Sequence, residues 1–300
     1  MIGSAVHTKG LCKVFGSVKA LDGVSLDVDH GEIYGLIGPD ASGKTTLFRI
    51  LTTLMLPDSG IATVCGADVK EHYRKIRSLA GYMPGRFSLY PDLSVEENLN
   101  FFASLFGVRV SDNFDMIKPI YDQIAPFKDR RSANLSGGMK QKLALCCALI
   151  HRPEILFLDE PTTGVDAVSR CEFWDILGEI RRAGMPIVVS TPYMDEASRC
   201  DRLSLINGGK ILETGTLDAI LERNRIPMLA VRGENNYSTL QMLRGVDGVE
   251  EAFLFGEYIH VFARHTLDAD ELRKLPGILE VRQIKPDIED VFIKIMGNGN

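Results

Sequence analysis

EIYGLIGPDASGKTTLFRILTTLM (32–55) runs from an apolar segment through a glycine-rich loop into a second apolar segment. EIYGLIG (32–38) reads as a short strand entering a glycine loop, and TTLFRILTTLM (45–55) has apolar positions at helical spacing. Between them GPDASGKTT (38–46) fits G-x-x-x-x-G-K-[ST], with the preceding strand and following helix that a phosphate loop requires. Glycines let backbone N–H groups turn towards phosphates, and the helix N-terminus adds its partial positive charge. Gly38, Pro39, Asp40, Ala41, Ser42, Gly43, Lys44, Thr45 and Thr46 are therefore the candidate nucleotide-binding residues. Lys44 is expected to reach the β- and γ-phosphates of ATP, and the Thr45 hydroxyl to ligate Mg²⁺. Ala41 is the unusual letter: a positive φ there would cost alanine about 1 kcal/mol.

ILFLDEP (155–161) supplies the second half of such a site. Asp159, ending an apolar strand over 154–159, is placed to hold Mg²⁺ through water. Glu160 beside it is the candidate catalytic base. IVVSTPYMDE (187–196) looks like another buried strand, stopped at Pro192, which lacks a backbone donor and fixes φ. A position just past a strand's C-terminal end in an α/β sheet borders the ligand crevice.

Residues 5–28 alternate apolar and polar around Phe15-Gly16-Ser17, which predicts an antiparallel hairpin. Helices are predicted at 95–107, 116–127, 137–150 and 168–184, and strands at 154–159, 187–190 and 202–207. This rhythm implies a parallel sheet with helices on its faces. After LERNRIP (221–227) the pattern changes, and 226–300 reads as a separate small α+β domain. The expected fold is thus α/β: a P-loop NTPase (RecA-like) core with an antiparallel β subdomain over 1–222, a helical subdomain at about 88–150, and the C-terminal domain.

With 45% hydrophobic and 25% charged residues, the composition is that of a globular protein. A net charge of −6 argues against nucleic acid as the main partner, since that affinity comes from neutralising phosphates. No run approaches the roughly 18 apolar residues of a membrane span, and MIGSAVHTKG is not the pattern of a secretory signal. Six cysteines show no C-x-x-C spacing, and Cys146 and Cys147 sit in the apolar run LALCCALI. A reducing, cytoplasmic setting is the simplest expectation.

Between the two halves lies NLSGGMKQKLALCCALI (134–150), where Ser136 and two glycines open a helix as a second anion site. Here the chain resembles the ATP-binding cassette (ABC) family, whose signature is this LSGG stretch. The order of phosphate loop, LSGGMKQ, LFLDEP and GVD (164–166) carries the resemblance over residues 5 to about 222. It implies a dimer sandwiching ATP, either a homodimer or a heterodimer, in which Ser136, Gly137, Gly138 and Gln141 face the nucleotide of the second cassette. Phe15 matches the aromatic that stacks on adenine, and Asp166 the D-loop acid at the dimer interface. The helical subdomain would pass force to a membrane partner.

KPDIEDVFIKIM (285–296) resembles the tail of drug-resistance-type exporter cassettes, which pair with ABC-2 type permeases. The resemblance implies an ATP-hydrolysing subunit of an exporter of drugs or other small amphiphiles, peripheral on the cytoplasmic face of the membrane. A non-transport soluble ATPase or a regulatory ATP-binding subunit stands as the alternative.

Two departures qualify that expectation. The family's glutamine before the helical subdomain aligns with Gly85, and its histidine after the VVST-like strand aligns with Pro192. Both would sense the γ-phosphate. Losing one preorganised donor costs on the order of 10²–10³ in rate, so this chain's own site is expected to bind ATP but turn over slowly. The intact LSGG would then complete a faster site on a partner cassette that has both sensors. The competing expectation is that other residues take over.

Overall fold

The computed structural model describes residues 3–85, 89–225, 227–263, 267 and 269–297. The chain divides into two compact units between Leu217 and Asp218. The sequence-based starts at 88 and 226 lie outside the described residues.

The first unit opens with β1 (Val6–Phe15) and β2 (Val18–Val28), an antiparallel hairpin. β3 (Ile33–Ile37), the phosphate loop and α1 (Lys44–Leu51) follow. Then come β4 (Ser59–Val64), β5 (Ala67–Asp68), α2 (Tyr73–Leu79) and β6 (Ala80–Met83). α3 (Val95–Leu105), α4 (Phe114–Tyr121) and α5 (Gly137–Leu149) form the helical part before β7 (Ile155–Asp159). α6 (Ala167–Arg182), β8 (Ile187–Thr191), β9 (Arg202–Asn207) and β10 (Lys210–Gly215) complete the unit.

The central sheet has the order β10-β9-β3-β8-β7-β6; its strands run parallel except for the edge strand β10. Alternate residues of β7 serve two cores. Leu156 and Leu158 join the helices, while Ile155 and Phe157 join the side holding the antiparallel sheet β2-β1-β4-β5. Burial on both faces is why the strand is apolar without alternation. Its first polar side chain, Asp159, comes at its C-terminal end.

Local signals set the helix starts. Ser94 and Glu97 form a capping box at α3, and Ser136 Oγ caps α5 by accepting the Met139 N–H. α1 stops at Leu51 rather than running to 55. Thr53 has φ 61, and the N–H groups of Leu54 and Met55 both turn back to the Arg49 carbonyl. β4 is not among the predicted strands: Ile61 and Ala62 are adjacent apolar residues that spoil the alternation, and Gly60 before them has φ 86. A Cβ on Gly60 would lie 2.4 Å from the Gly10 carbonyl oxygen of β1.

The second unit begins in α7 (Leu217–Arg223). It continues as β11 (Met228–Gly233), α8 (Asn236–Leu243), β12 (Val249–Phe255), β13 (Tyr258–Ala263), α9 (Ala269–Arg273), β14 (Ile278–Ile284) and α10 (Ile288–Gly297). From β11 to β14 this is a β-α-β-β-α-β chain in the order β12-β13-β11-β14, antiparallel throughout, a ferredoxin-like arrangement. α10 is tied to the sheet where Asp290 Oδ1 meets His260 Nδ1 of β13 at 2.6 Å, both nearly buried.

Candidate nucleotide site

The C-terminal ends of β3, β7 and β8 converge, and each brings a candidate residue. After β3 the backbone passes Gly38, whose N–H donates to the Thr191 carbonyl at the end of β8 (3.2 Å). A Cβ on Gly38 would lie 2.1 Å from the Ile206 carbonyl oxygen, and one on Gly43 2.4 Å from the Ala20 carbonyl oxygen. Only glycine fits either place. Gly43 has φ 109 and caps α1, and Ala41 does adopt a positive φ, 61. The Ser42 carbonyl accepts the Gly209 N–H, which braces the loop from behind.

The loop suits a phosphate chain. Lys44, Thr45 and Thr46 form the first turn of α1, where backbone N–H groups have no partner within the helix. Ser42 Oγ is buried and has no hydrogen-bond partner among the described residues, an orphan that a phosphate oxygen would satisfy. Pro39 is half-buried, and Asp40 and Ala41 are exposed at the rim. Lys44 is buried: its Nζ donates to the carbonyls of Gly38 (2.8 Å) and Pro39 (2.9 Å) and lies 3.2 Å from Glu160 Oε1. Three ammonium protons thus meet three oxygens.

Asp159 is buried at the end of β7, and Ser190 Oγ donates to its Oδ1 at 2.6 Å. Glu160 follows with φ 51, its N–H held by both the carbonyl and the hydroxyl of Ser190. Burial, with the negative Asp159 nearby, pushes the Tyr82 phenol well above its ordinary value, so it stays protonated. The buried Asp159 carboxylate and the half-buried Thr45 hydroxyl are each hard oxygen donors of the kind that Mg²⁺ takes.

Gly85, Gly137, Gln141 and Glu160 line one cavity of about 190 Å³. At Gly85 a Cβ would sit 2.9 Å from the Asp159 carbonyl oxygen. The backbone there lies too close to β7 for a glutamine without a shift. Pro192 is half-buried just past β8, and the chain then enters a 3₁₀ turn, Met194–Arg199. The Tyr193 ring is engaged by the Arg170 guanidinium, 5.0 Å from its centroid, and Arg170 also pairs with Asp195.

The remaining expected residues come from other elements. Phe15 ends β1 at the hairpin tip, 46% exposed, with Lys13 Nζ 5.6 Å from its ring centroid. Ser136 is exposed at the start of α5, and Gly138 is buried where a Cβ would meet the Ser169 side chain at 2.6 Å. Asp166 caps α6 by accepting the Ser169 N–H at 3.0 Å, which holds its carboxyl below the usual range. Sequence reasoning missed Ser190, and also the buried link from Thr162 Oγ1 to Glu196 Oε1 (2.8 Å) behind the Glu160 loop. A serine in the otherwise apolar IVVS run was the available signal.

Comparison with known proteins places the whole chain. The ABC transporter family profile matches residues 21–163. A probable multidrug ABC transporter ATP-binding protein of Escherichia coli (strain K12) is 36% identical over 305 residues, spanning 99% of this chain and 53% of that protein. The chain thus spans about half the length of that relative. A Nod factor export ATP-binding protein I of Burkholderia lata is 34% identical over 95% of this chain and 94% of its own length. Among solved structures, an ATP-binding subunit of an ABC transporter superposes with TM-score 0.66 at 27% identity, covering 73% of this chain and 93% of the other. A dimeric bacterial ABC transporter cassette shares the fold at TM-score 0.64 and 23% identity, over 71% of this chain and 98% of that one. With its phosphate loop, paired acids and signature helix on one sheet, the chain belongs to the ABC transporter family as one of its ATP-binding cassettes.

Proposed function

We propose that this chain hydrolyses ATP to drive a membrane exporter of drugs or other small amphiphiles, lying peripherally on the cytoplasmic face against an ABC-2 type permease. The observation that carries the reading is the meeting of Lys44, Asp159 and Glu160 at one end of the parallel sheet. Relatives named for multidrug transport and Nod factor export support the export assignment. Thr45 and Asp159 would hold Mg²⁺, which supplies charge neutralisation for the β- and γ-phosphates. Lys44 and the first-turn N–H groups of α1 bind the phosphate chain, Phe15 stacks on the base, and Glu160 takes the proton of the attacking water.

The cassette works in a nucleotide-sandwich dimer. Ser136, Gly137, Gly138 and Gln141 serve the partner's nucleotide, with Asp166 at the interface. Its own site turns over slowly, since positions 85 and 192 offer the γ-phosphate no side-chain donor. The partner is a second cassette that keeps both sensors. The permease meets an apolar groove of about 560 Å³ lined by Leu54, Tyr82, Phe102, Leu105, Phe106 and His151, where Phe106 stacks on His151 at 3.8 Å. Such a groove suits an apolar-faced helix.

Affinity capture from detergent-solubilised membranes, with ATPase assays before and after, tests this reading. It predicts a co-purifying multispanning protein and a faster rate in the complex. Capture of the chain without a membrane protein contradicts it and favours a soluble ATPase.

A further inference from the structure

Ser190 touches both acids of the site, although no motif marks it. Parallel pairing of β7 with β8 puts Ser190 directly beside Asp159, with Ser190 0% and Asp159 2% exposed. Its Oγ donates to Asp159 Oδ1 at 2.6 Å and accepts the Glu160 N–H at 3.1 Å; its carbonyl accepts the same N–H at 3.0 Å. One hydroxyl therefore does two things. It commits one carboxylate oxygen of Asp159, which orients the other, and it helps hold Glu160 at φ 51, a left-handed backbone that glutamate rarely adopts.

We propose that Ser190 is the positioning residue of the Asp159–Glu160 pair, setting the carboxylate that holds Mg²⁺ and the backbone that presents Glu160. The inference rests on the reading of this site as a Mg²⁺-dependent ATPase. It gives β8 a role that survives the proline at 192. The strand reaches the reacting groups two residues earlier, from inside the sheet, where a hydroxyl is already desolvated and fixed. Groups that hold a metal's ligands typically change metal affinity or activity by about 10–100-fold when removed.

The test uses the full chain as wild type, Ser190→Ala, Ser190→Thr and Glu160→Gln. A fluorescent ATP analogue is titrated once in EDTA and once in Mg²⁺, alongside steady-state hydrolysis. Ser190→Ala should bind within about 2-fold of wild type in EDTA, lose most of the Mg²⁺ enhancement, and turn over about 10–100-fold more slowly. Ser190→Thr, which keeps the hydroxyl, should recover both. Glu160→Gln should keep the Mg²⁺ enhancement while losing turnover.

Ser190→Ala retaining the wild-type Mg²⁺ enhancement and rate overturns the role of Ser190 alone. Equal losses in EDTA and Mg²⁺ also overturn it, because they mark general damage to the pocket, as does Ser190→Thr behaving like Ser190→Ala. A wild type with no Mg²⁺ enhancement and no hydrolysis overturns the ATPase reading together with it.

Discussion

Lys44 Nζ lies 3.2 Å from Glu160 Oε1, so the cation of the phosphate loop and the proposed general base hold each other. A γ-phosphate entering the loop competes with Glu160 for Lys44 and leaves the carboxylate to bind water. Glu160→Gln removes the base and weakens its hold on Lys44. Turnover should fall about 10²–10⁴-fold while ATP binding stays equal or becomes tighter. Lys44→Ala should instead lose most of the binding. Equilibrium nucleotide titration together with a hydrolysis assay checks both variants.

Ala41 sits at φ 61 in the phosphate loop, a conformation that costs an L-residue with a Cβ but not glycine. Ala41→Gly should stabilise the first unit by about 1 kcal/mol, because relief of the αL strain exceeds the added entropy of the unfolded chain. Chemical denaturation followed by near-UV signals reads the change. An equal or lower stability would show that the loop relaxes around alanine at no cost.

Pro192→His places a donor where β8 delivers its C-terminal end. The rate of the chain's own site should rise by about 10-fold or more, on the scale of one preorganised donor. Gly85→Gln should not do the same. Its Cβ meets the Asp159 carbonyl oxygen at 2.9 Å, so the backbone must move before the amide can reach anything. Steady-state ATPase measurements on the two variants distinguish the cases.

His260 and Asp290 pair at 2.6 Å inside the second unit, with a second Asp290 oxygen accepting the Asp287 N–H. His260→Ala leaves one oxygen of a buried carboxylate without its partner, at a cost of about 3 kcal/mol. Hydrogen exchange should then rise across α10 while the phosphate loop keeps its protection.

The Ser169 N–H holds the Asp166 carboxyl below the usual range. A carboxyl with a depressed folded-state pKa adds stability above its unfolded value, and that stability is lost as pH falls through the folded one. The start of α6 should therefore stay intact at about pH 5 and loosen only below about pH 4. Following the Ser169 amide resonance with pH checks this, and Asp166→Asn should remove the dependence.

Much of the site was legible because it is local. Gly38 to Thr46, and Asp159 with Glu160, are contiguous stretches whose strand and helix neighbours can be read from periodicity. The C-terminal unit was legible as α+β, but its strand order was not, since pairing such as Ala230 with both His260 and Arg282 joins distant segments. Ser190 was visible as a serine in an apolar run, but its role was not, because that depends on lying level with Asp159 in the parallel sheet. Gly85 was visible as a missing glutamine. Its close approach to β7, which explains why glycine suits the place, belongs to three-dimensional packing. β4 was missed because the adjacent Ile61 and Ala62 spoil its alternation, and the backbone contact that Gly60 permits leaves no mark in the pattern.

We propose that this cassette binds ATP well and hydrolyses it slowly by itself. The deciding measurement is hydrolysis by the purified chain alone, at saturating Mg²⁺-ATP, with Glu160→Gln as the control. Tight ATP binding with turnover well below about 1 s⁻¹ is the expected result. Turnover of several per second or more, abolished by Glu160→Gln, would contradict it.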